Sequence, residues 1–144
     1  MDKGPYETLL GRAFFFLKIR QRTEKEMRAY LQKVVERTHL SGEDVVDRVV
    51  LRLKELKYLN DESFVNSHIS SRMSLKPKGK YALQQELANK GIAEGDIENY
   101  FQSHNIDEEA LAKKALKKRW HLYKNIDHHK REKRATDFLL RRGF

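Results

Sequence analysis

Cysteine is absent from this chain and tryptophan occurs once. Without a thiol there is no disulfide, no thiolate metal site and no cysteine nucleophile, a composition at home in a reducing cytoplasm. Proline and glycine are scarce too, at two and seven residues of 144. β-branched runs are few, so helix is favoured over sheet. No apolar stretch approaches the ~20 residues that cross a bilayer, and no membrane partner is expected. The N-terminus lacks the apolar segment of a signal peptide, which argues against export and for a cytoplasmic protein. Missing as well are a GxxxxGK[S/T] loop, a GxGxxG turn, a GxSxG elbow and HExxH spacing. Neither catalysis, nor a cofactor, nor a metal is therefore expected.

What is present is charge. Charged residues make up 35% of the chain and hydrophobic ones 39%, with a formal net charge of +9. The excess is uneven. Residues 1–60 carry 13 basic and 9 acidic side chains, residues 61–105 carry 5 and 6, and residues 106–144 carry 12 and 6. A polyanion is the natural partner of such a surface. Nucleic acid comes before membrane, because no apolar face accompanies the charge.

The organising stretch is Leu59-Asn60-Asp61-Glu62-Ser63-Phe64. Asn60 reads as an N-cap, Asp61 and Glu62 complement the positive helix terminus, and Leu59 and Phe64 have the spacing of a hydrophobic staple. The grammar returns at Ile106-Asp107-Glu108-Glu109-Ala110-Leu111. Recurrence of this kind points to repeats. Pro5 opens a first helix to about Ile19, Thr23 and Glu26 form a capping box for a second, and Ser41 caps a third through Val45, Val49, Val50, Leu53 and Leu56. Asn60 opens a fourth, through Phe64, Val65, Ile69 and Met73. After the Lys76-Pro77-Lys78-Gly79 break, Tyr81 to Lys90 is helical and Gly91 ends it as a left-handed residue. Ile97, Tyr100 and Phe101 face the core from the next helix. The helix after Asp107 has Leu111, Ala115 and Leu122 on one side and Ala112, Leu116 and Tyr123 on another; Asp127 caps a last helix to Arg142. Leu139 to Phe144 echoes Leu87 to Ile92, with glycine and the following apolar residue 52 positions apart.

These patterns predict an all-α fold: tandem three-helix repeats in an elongated, curved array. The repeats are placed at 1–59, 60–105 and 106–144, the third incomplete, with two helices and its last helix absent.

With those joints placed, the chain resembles the RecX family of bacterial recombination regulators. The resemblance rests on Tyr58-Leu59-Asn60-Asp61 followed by Phe64, on Arg72, on Glu86-Leu87 with Lys90-Gly91-Ile92, and on the Leu139 to Phe144 echo. It implies tandem three-helix units that lie in the groove of a RecA-type recombinase filament on DNA and inhibit ATP hydrolysis and strand exchange. It also implies a role in DNA repair and the SOS response. The chain departs from the pattern in three ways: extra residues between Leu31 and Leu40, a very short leader, and the missing final helix.

At about 100° per residue, Lys113, Lys114, Lys117 and Lys118 fill one wedge of their helix, with Trp120 at its edge. Lys130, Arg134 and Arg141 share a stripe of the next. With Lys124, Arg131 and Arg142 these are the expected contacts to nucleic acid or filament, made to single- or double-stranded DNA through phosphates. A solvated face is the competing reading of the same charges. Nothing resembles a base-reading motif. Trp120 is expected in the core, with surface stacking the alternative, and Phe14-Phe15-Phe16 in core or inter-unit packing. His121, His128 and His129 are not expected to bind metal, since adjacent histidines diverge around a helix. A monomer is expected. The alternative function is a small basic helical DNA-binding module with no recombinase partner.

Overall fold

Helix starts follow the cap chemistry. In the computed structural model, which describes residues 3–40, 42 and 44–144, Pro5 takes the first position of α1 (Pro5–Ile19), where a missing N–H costs nothing. Thr23 caps α2 (Glu24–Thr38): its hydroxyl accepts from the Glu26 N–H at 3.1 Å, and Glu26 Oε1 accepts from the Thr23 N–H at 3.2 Å. That is the capping box the spacing predicts. Asn60 Oδ1 accepts from the Ser63 N–H at 3.1 Å at the head of α4 (Asp61–Leu75). Asp107 Oδ1 does the same for the Ala110 N–H, at 3.0 Å, at the head of α7 (Glu108–Arg119). Between them lie α3 (Val45–Glu55), α5 (Lys80–Asn89) and α6 (Glu94–Ser103), and α8 (His128–Arg141) comes last. No strand occurs among the described residues.

Two compact units result. The first extends to Phe64 and takes in Lys90–Ile92. Its core is formed by Leu9 and Ala13 of α1, Met27, Leu31 and Val34 of α2, Val45, Val49, Val50 and Leu53 of α3, and Leu59. The second holds residues 65–89 and 93–144, with Val65, Ile69, Leu83, Leu87, Ile97, Ala115, Tyr123 and Phe138 buried. Both sets keep the helical spacing of the sequence, and burial of this kind is what stabilises short helices.

Several details differ from expectation. Ser41, the expected cap of α3, lies outside the described residues; Asp44 takes that position with φ of 59° and no side-chain capping bond. Asp127 stands at the N-cap of α8, yet its side chain makes no capping bond. Leu56 is exposed, and so is Leu122. The cause at Leu122 is local: α7 stops at Arg119 and residues Trp120–Leu122 tighten into a 3₁₀ turn. At three residues per turn, Leu122 rotates off the Leu111–Ala115 side.

The starts of α2 and α5 are tied down by one device used twice. In the first unit, the Glu24 N–H donates to Asp61 Oδ1 at 3.0 Å and the Thr23 hydroxyl donates to the Lys90 carbonyl at 2.6 Å. In the second, the Lys80 N–H donates to Glu108 Oε1 at 2.7 Å and the Gly79 N–H donates to the Arg142 carbonyl, also at 2.7 Å. Each helix start therefore receives an acidic residue from the head of a later helix and a carbonyl from the end of another. Glycines let the chain come so close. Gly91 and Gly143 have φ of 92° and 86°, and a Cβ on Gly79 would collide with the Gly143 backbone while one on Gly143 would collide with Ala82.

These contacts set an order of glycine effects. Gly143→Ala should lower unfolding free energy by about 1–3 kcal/mol through the forced positive φ and the clash, and Gly79→Ala should also be destabilising. Gly11→Ala, with open space around the new methyl in the middle of α1, should raise it by about 0.5–1 kcal/mol. Urea midpoints of the three variants check this. An unchanged Gly143→Ala protein would contradict the close approach.

Candidate nucleic-acid interface

The basic residues singled out in the sequence lie on α7, α8 and the turn between them, except Arg142, which follows α8 as its C-cap. Lys113, Lys117, Lys118, Lys124, Lys130, Arg134 and Arg141 are all exposed. Lys113 pairs with Glu109 one turn earlier at 3.1 Å; among the described residues no ion pair engages the other six. Two like-charge i,i+4 pairs, Lys113/Lys117 and Lys114/Lys118, each cost roughly 0.2–0.5 kcal/mol. The negative end of the α7 dipole partly offsets this for Lys117 and Lys118, which sit in its last turn.

Three of the ten are differently placed. The exposed Lys114 directs Nζ to the Met73 carbonyl at 3.2 Å. Arg131 is half-buried, its guanidinium 5.6 Å from the Trp120 ring centroid and 3.3 Å from His128 Nδ1. Arg142 is half-buried as well: its guanidinium lies 4.9 Å from the Phe138 ring centroid and donates to the Pro77 carbonyl at 3.4 Å. Burial, with the charges of Arg119 and Arg141 adding to it, pulls its pKa below the usual guanidinium value.

Trp120 is not a core residue. It is 42% exposed, since it stands one helical turn beyond Leu116 and two beyond Lys113, at the edge of the basic wedge and off the buried Ala115 side. With Lys113, Leu116, Lys117, His121 and Lys124 it lines an open groove of about 480 Å³. The three phenylalanines of α1 part company as their spacing requires. Phe14 meets Tyr58 edge-on at 5.2 Å, Phe16 stacks on Tyr30 at 4.0 Å beneath the Arg22 guanidinium, and Phe15 stays 66% exposed.

Sequence reasoning missed one cluster in the second unit. The Glu86 carboxylate of α5 receives His68 Nε2 at 2.7 Å and Arg72 Nε at 3.1 Å from α4, and Lys78 Nζ on its other oxygen. Burial pushes the Glu86 carboxyl up, but the hydrogen bonds from Lys78 and His68 and the charges of Arg72 and Lys78 outweigh it and hold it below the usual carboxylate value. The one available signal was the i,i+4 spacing of His68 and Arg72, which puts both on one face of α4.

Helices grouped in threes, with a repeated capped joint and a basic last segment, define an all-helical protein of tandem three-helix domains. The family model described as the second three-helix domain of RecX matches residues 60–100, and that of the third matches residues 107–144. Regulatory protein RecX of Streptococcus pneumoniae (strain Hungary19A-6) is 37% identical over 108 residues, which are 74% of this chain and 40% of that protein. The chain belongs to the RecX family. It spans about 40% of the length of the curated relatives it matches. Two crystal structures share the fold. One, of regulatory protein RecX, has a TM-score of 0.80 at 23% identity over 97% of this chain and 68% of the other. The second, of RecX from Lactobacillus salivarius, has a TM-score of 0.79 at 20% identity over 97% and 88%.

The Glu86 cluster generates a pH prediction. Its folded pKa is lowered, so its stabilisation is full above the ordinary carboxylate value of about 4.3 and is lost as pH falls through the lower folded value. Glu86→Gln should cost about 1.5–3 kcal/mol at pH 7, the range of hydrogen bonds to charged groups. Denaturation midpoints of variant and parent should converge on acidification; a gap that persisted unchanged at pH 2 would refute the assignment.

Proposed function

We propose that this chain acts on a RecA-type recombinase filament assembled on DNA, lies in the filament groove, and inhibits ATP hydrolysis and strand exchange. It does so without chemistry of its own, as a monomer in the cytoplasm, within recombination, repair and the SOS response. The repeats at 1–59, 60–105 and 106–144 would span neighbouring protomers. Lys113, Lys117, Lys118, Lys124, Lys130, Arg134 and Arg141 meet DNA phosphate. Lys114, Arg131 and Arg142, already engaged within the chain, add positive field more than direct contacts.

Family membership supports the regulatory role, since the matched relatives carry the name regulatory protein RecX. The observation that carries the DNA part is the run of exposed cations on α7, α8 and the turn between them, of which only Lys113 has an ion pair among the described residues. Release of counterions from phosphate is what rewards such clustering, whereas folding alone penalises it. The same face also supports the second reading, a basic helical module that binds DNA with no recombinase.

RecA-driven ATP turnover on single-stranded DNA should fall when the chain is added. At matched ionic strength, binding should be tighter to RecA-coated than to naked single-stranded DNA; equal or weaker binding to the coated form would favour the plain module. Replacing Lys113, Lys117, Lys130 and Arg134 with glutamine should weaken nucleoprotein binding. The log–log salt slope should flatten by about 0.7 for each residue that meets a single-strand phosphate. Thermal stability should stay level or rise slightly, and unchanged affinity would remove the DNA-facing assignment.

A further inference from the structure

The groove on α7 and the following turn combines two surfaces that one simple ligand would not need together. Its lining residues fall at i, i+3, i+4, i+7, i+8 and i+11, from Lys113 to Lys124. Leu116 and the Trp120 indole supply apolar and aromatic surface, while Lys113, Lys117, Lys124 and His121 supply nitrogen donors. Among the described residues no carboxylate lines the groove, although Glu109 reaches Lys113 from outside it. Arg131, the cation 5.6 Å from the indole, is not part of the lining either, so it steadies the ring from elsewhere by a cation–π contact.

A small inorganic anion would use the lysines and ignore the indole. An apolar peptide would use the indole and strand the lysines. A polymer that carries planar rings and one negative charge per ring satisfies both, provided its rings are not already stacked on each other. A volume of about 480 Å³ is within the range of sites that hold such a ring.

We propose that this groove takes an unpaired base of single-stranded DNA against the exposed Trp120 indole, with the flanking phosphates on Lys117 and Lys124. Lys113, held by Glu109, sits one helical turn further along the same track. This rests on the reading of α7 and α8 as a DNA-facing surface and adds to it a preference for unpaired over duplex DNA. Base identity is not read, because an indole face accepts any base.

Trp120 is the sole tryptophan of the chain, so indole fluorescence, excited at wavelengths the six tyrosines do not absorb, reports on this groove alone. An unlabelled dT15 strand should quench it over the same concentrations at which labelled dT15 binds by anisotropy. Heparin, poly-glutamate and a blunt 15-base-pair duplex should produce no comparable quenching. Trp120→Ala should weaken dT15 binding by about 5-fold or more, the scale of one stacked base. Its salt slope should not change, and its helix content at the binding temperature should match the parent's, although loss of the Arg131 contact lowers its melt slightly. Trp120→Phe should restore most of the affinity, while Lys117→Gln should lower both affinity and slope.

Undiminished dT15 binding by Trp120→Ala, or quenching by heparin or poly-glutamate equal to that by dT15, would overturn the stacking site and leave the phosphate reading standing. So would an equal Trp120→Ala loss on the duplex. Tighter binding of rU15 than dT15 would overturn the assignment to DNA. Absence of any binding to nucleic acid would sink both readings together.

Discussion

An α-helix leaves its first N–H groups without partners inside the helix, and how two helices satisfy theirs governs much of this fold. The α2 start uses Thr23 for one amide, Asp61 for another, and turns the threonine hydroxyl toward the Lys90 carbonyl. The α5 start uses Glu108 and the Arg142 carbonyl in the same places. Each joint thus solves two terminus problems together, because the carbonyls of Lys90 and Arg142 follow helices α5 and α8 and need donors of their own. Sequence-distant segments are held with main-chain atoms, and the buried leucines and valines then pack around fixed entry points.

Charge is used in two opposite ways within the second unit. At Glu86 a single carboxylate gathers His68, Arg72 and Lys78 and is consumed in holding α4, α5 and the intervening loop together. On α7 and α8 the cations have few acids to meet, and most stay in solvent. Folding explains the first arrangement completely. It does not explain the second, since exposed like charges add repulsion and no packing. The contrast is what separates a structural cluster from a surface suited to a polyanion.

Much of this was legible in the sequence wherever a residue acts on its own helix. Pro5, Thr23 with Glu26, Asn60 and Asp107 stand at the helix starts their spacing implied, and Gly91 and Gly143 take positive φ. What periodicity could not reveal is action across elements. Asp61 and Glu108 read as partners of their own helix dipoles, and only tertiary placement shows them reaching the amides of Glu24 and Lys80. The Trp120–Leu122 turn was hidden for another reason: no glycine or proline marks the end of α7, so the helical count runs on through Leu122 and Tyr123. That one shortening put Leu122 in solvent, whereas Trp120 keeps the helical register of Lys113 and Leu116 and lines a groove with them. The basic wedge itself was visible, whereas the half-burial of Arg131 and Arg142 depended on aromatic neighbours contributed by folding.

The joints have a consequence for how such chains can vary. A carbonyl is the same whichever side chain hangs beside it, so the positions of Lys90 and Arg142 can change identity without loosening the link they make. What the link does demand is room, at Gly79, Gly91 and Gly143, and an acid of either length, since aspartate serves at 61 and glutamate at 108. Architecture specified by so few letters tolerates wide rewriting elsewhere, and successive segments can take on separate surface chemistries while the joints stay the same.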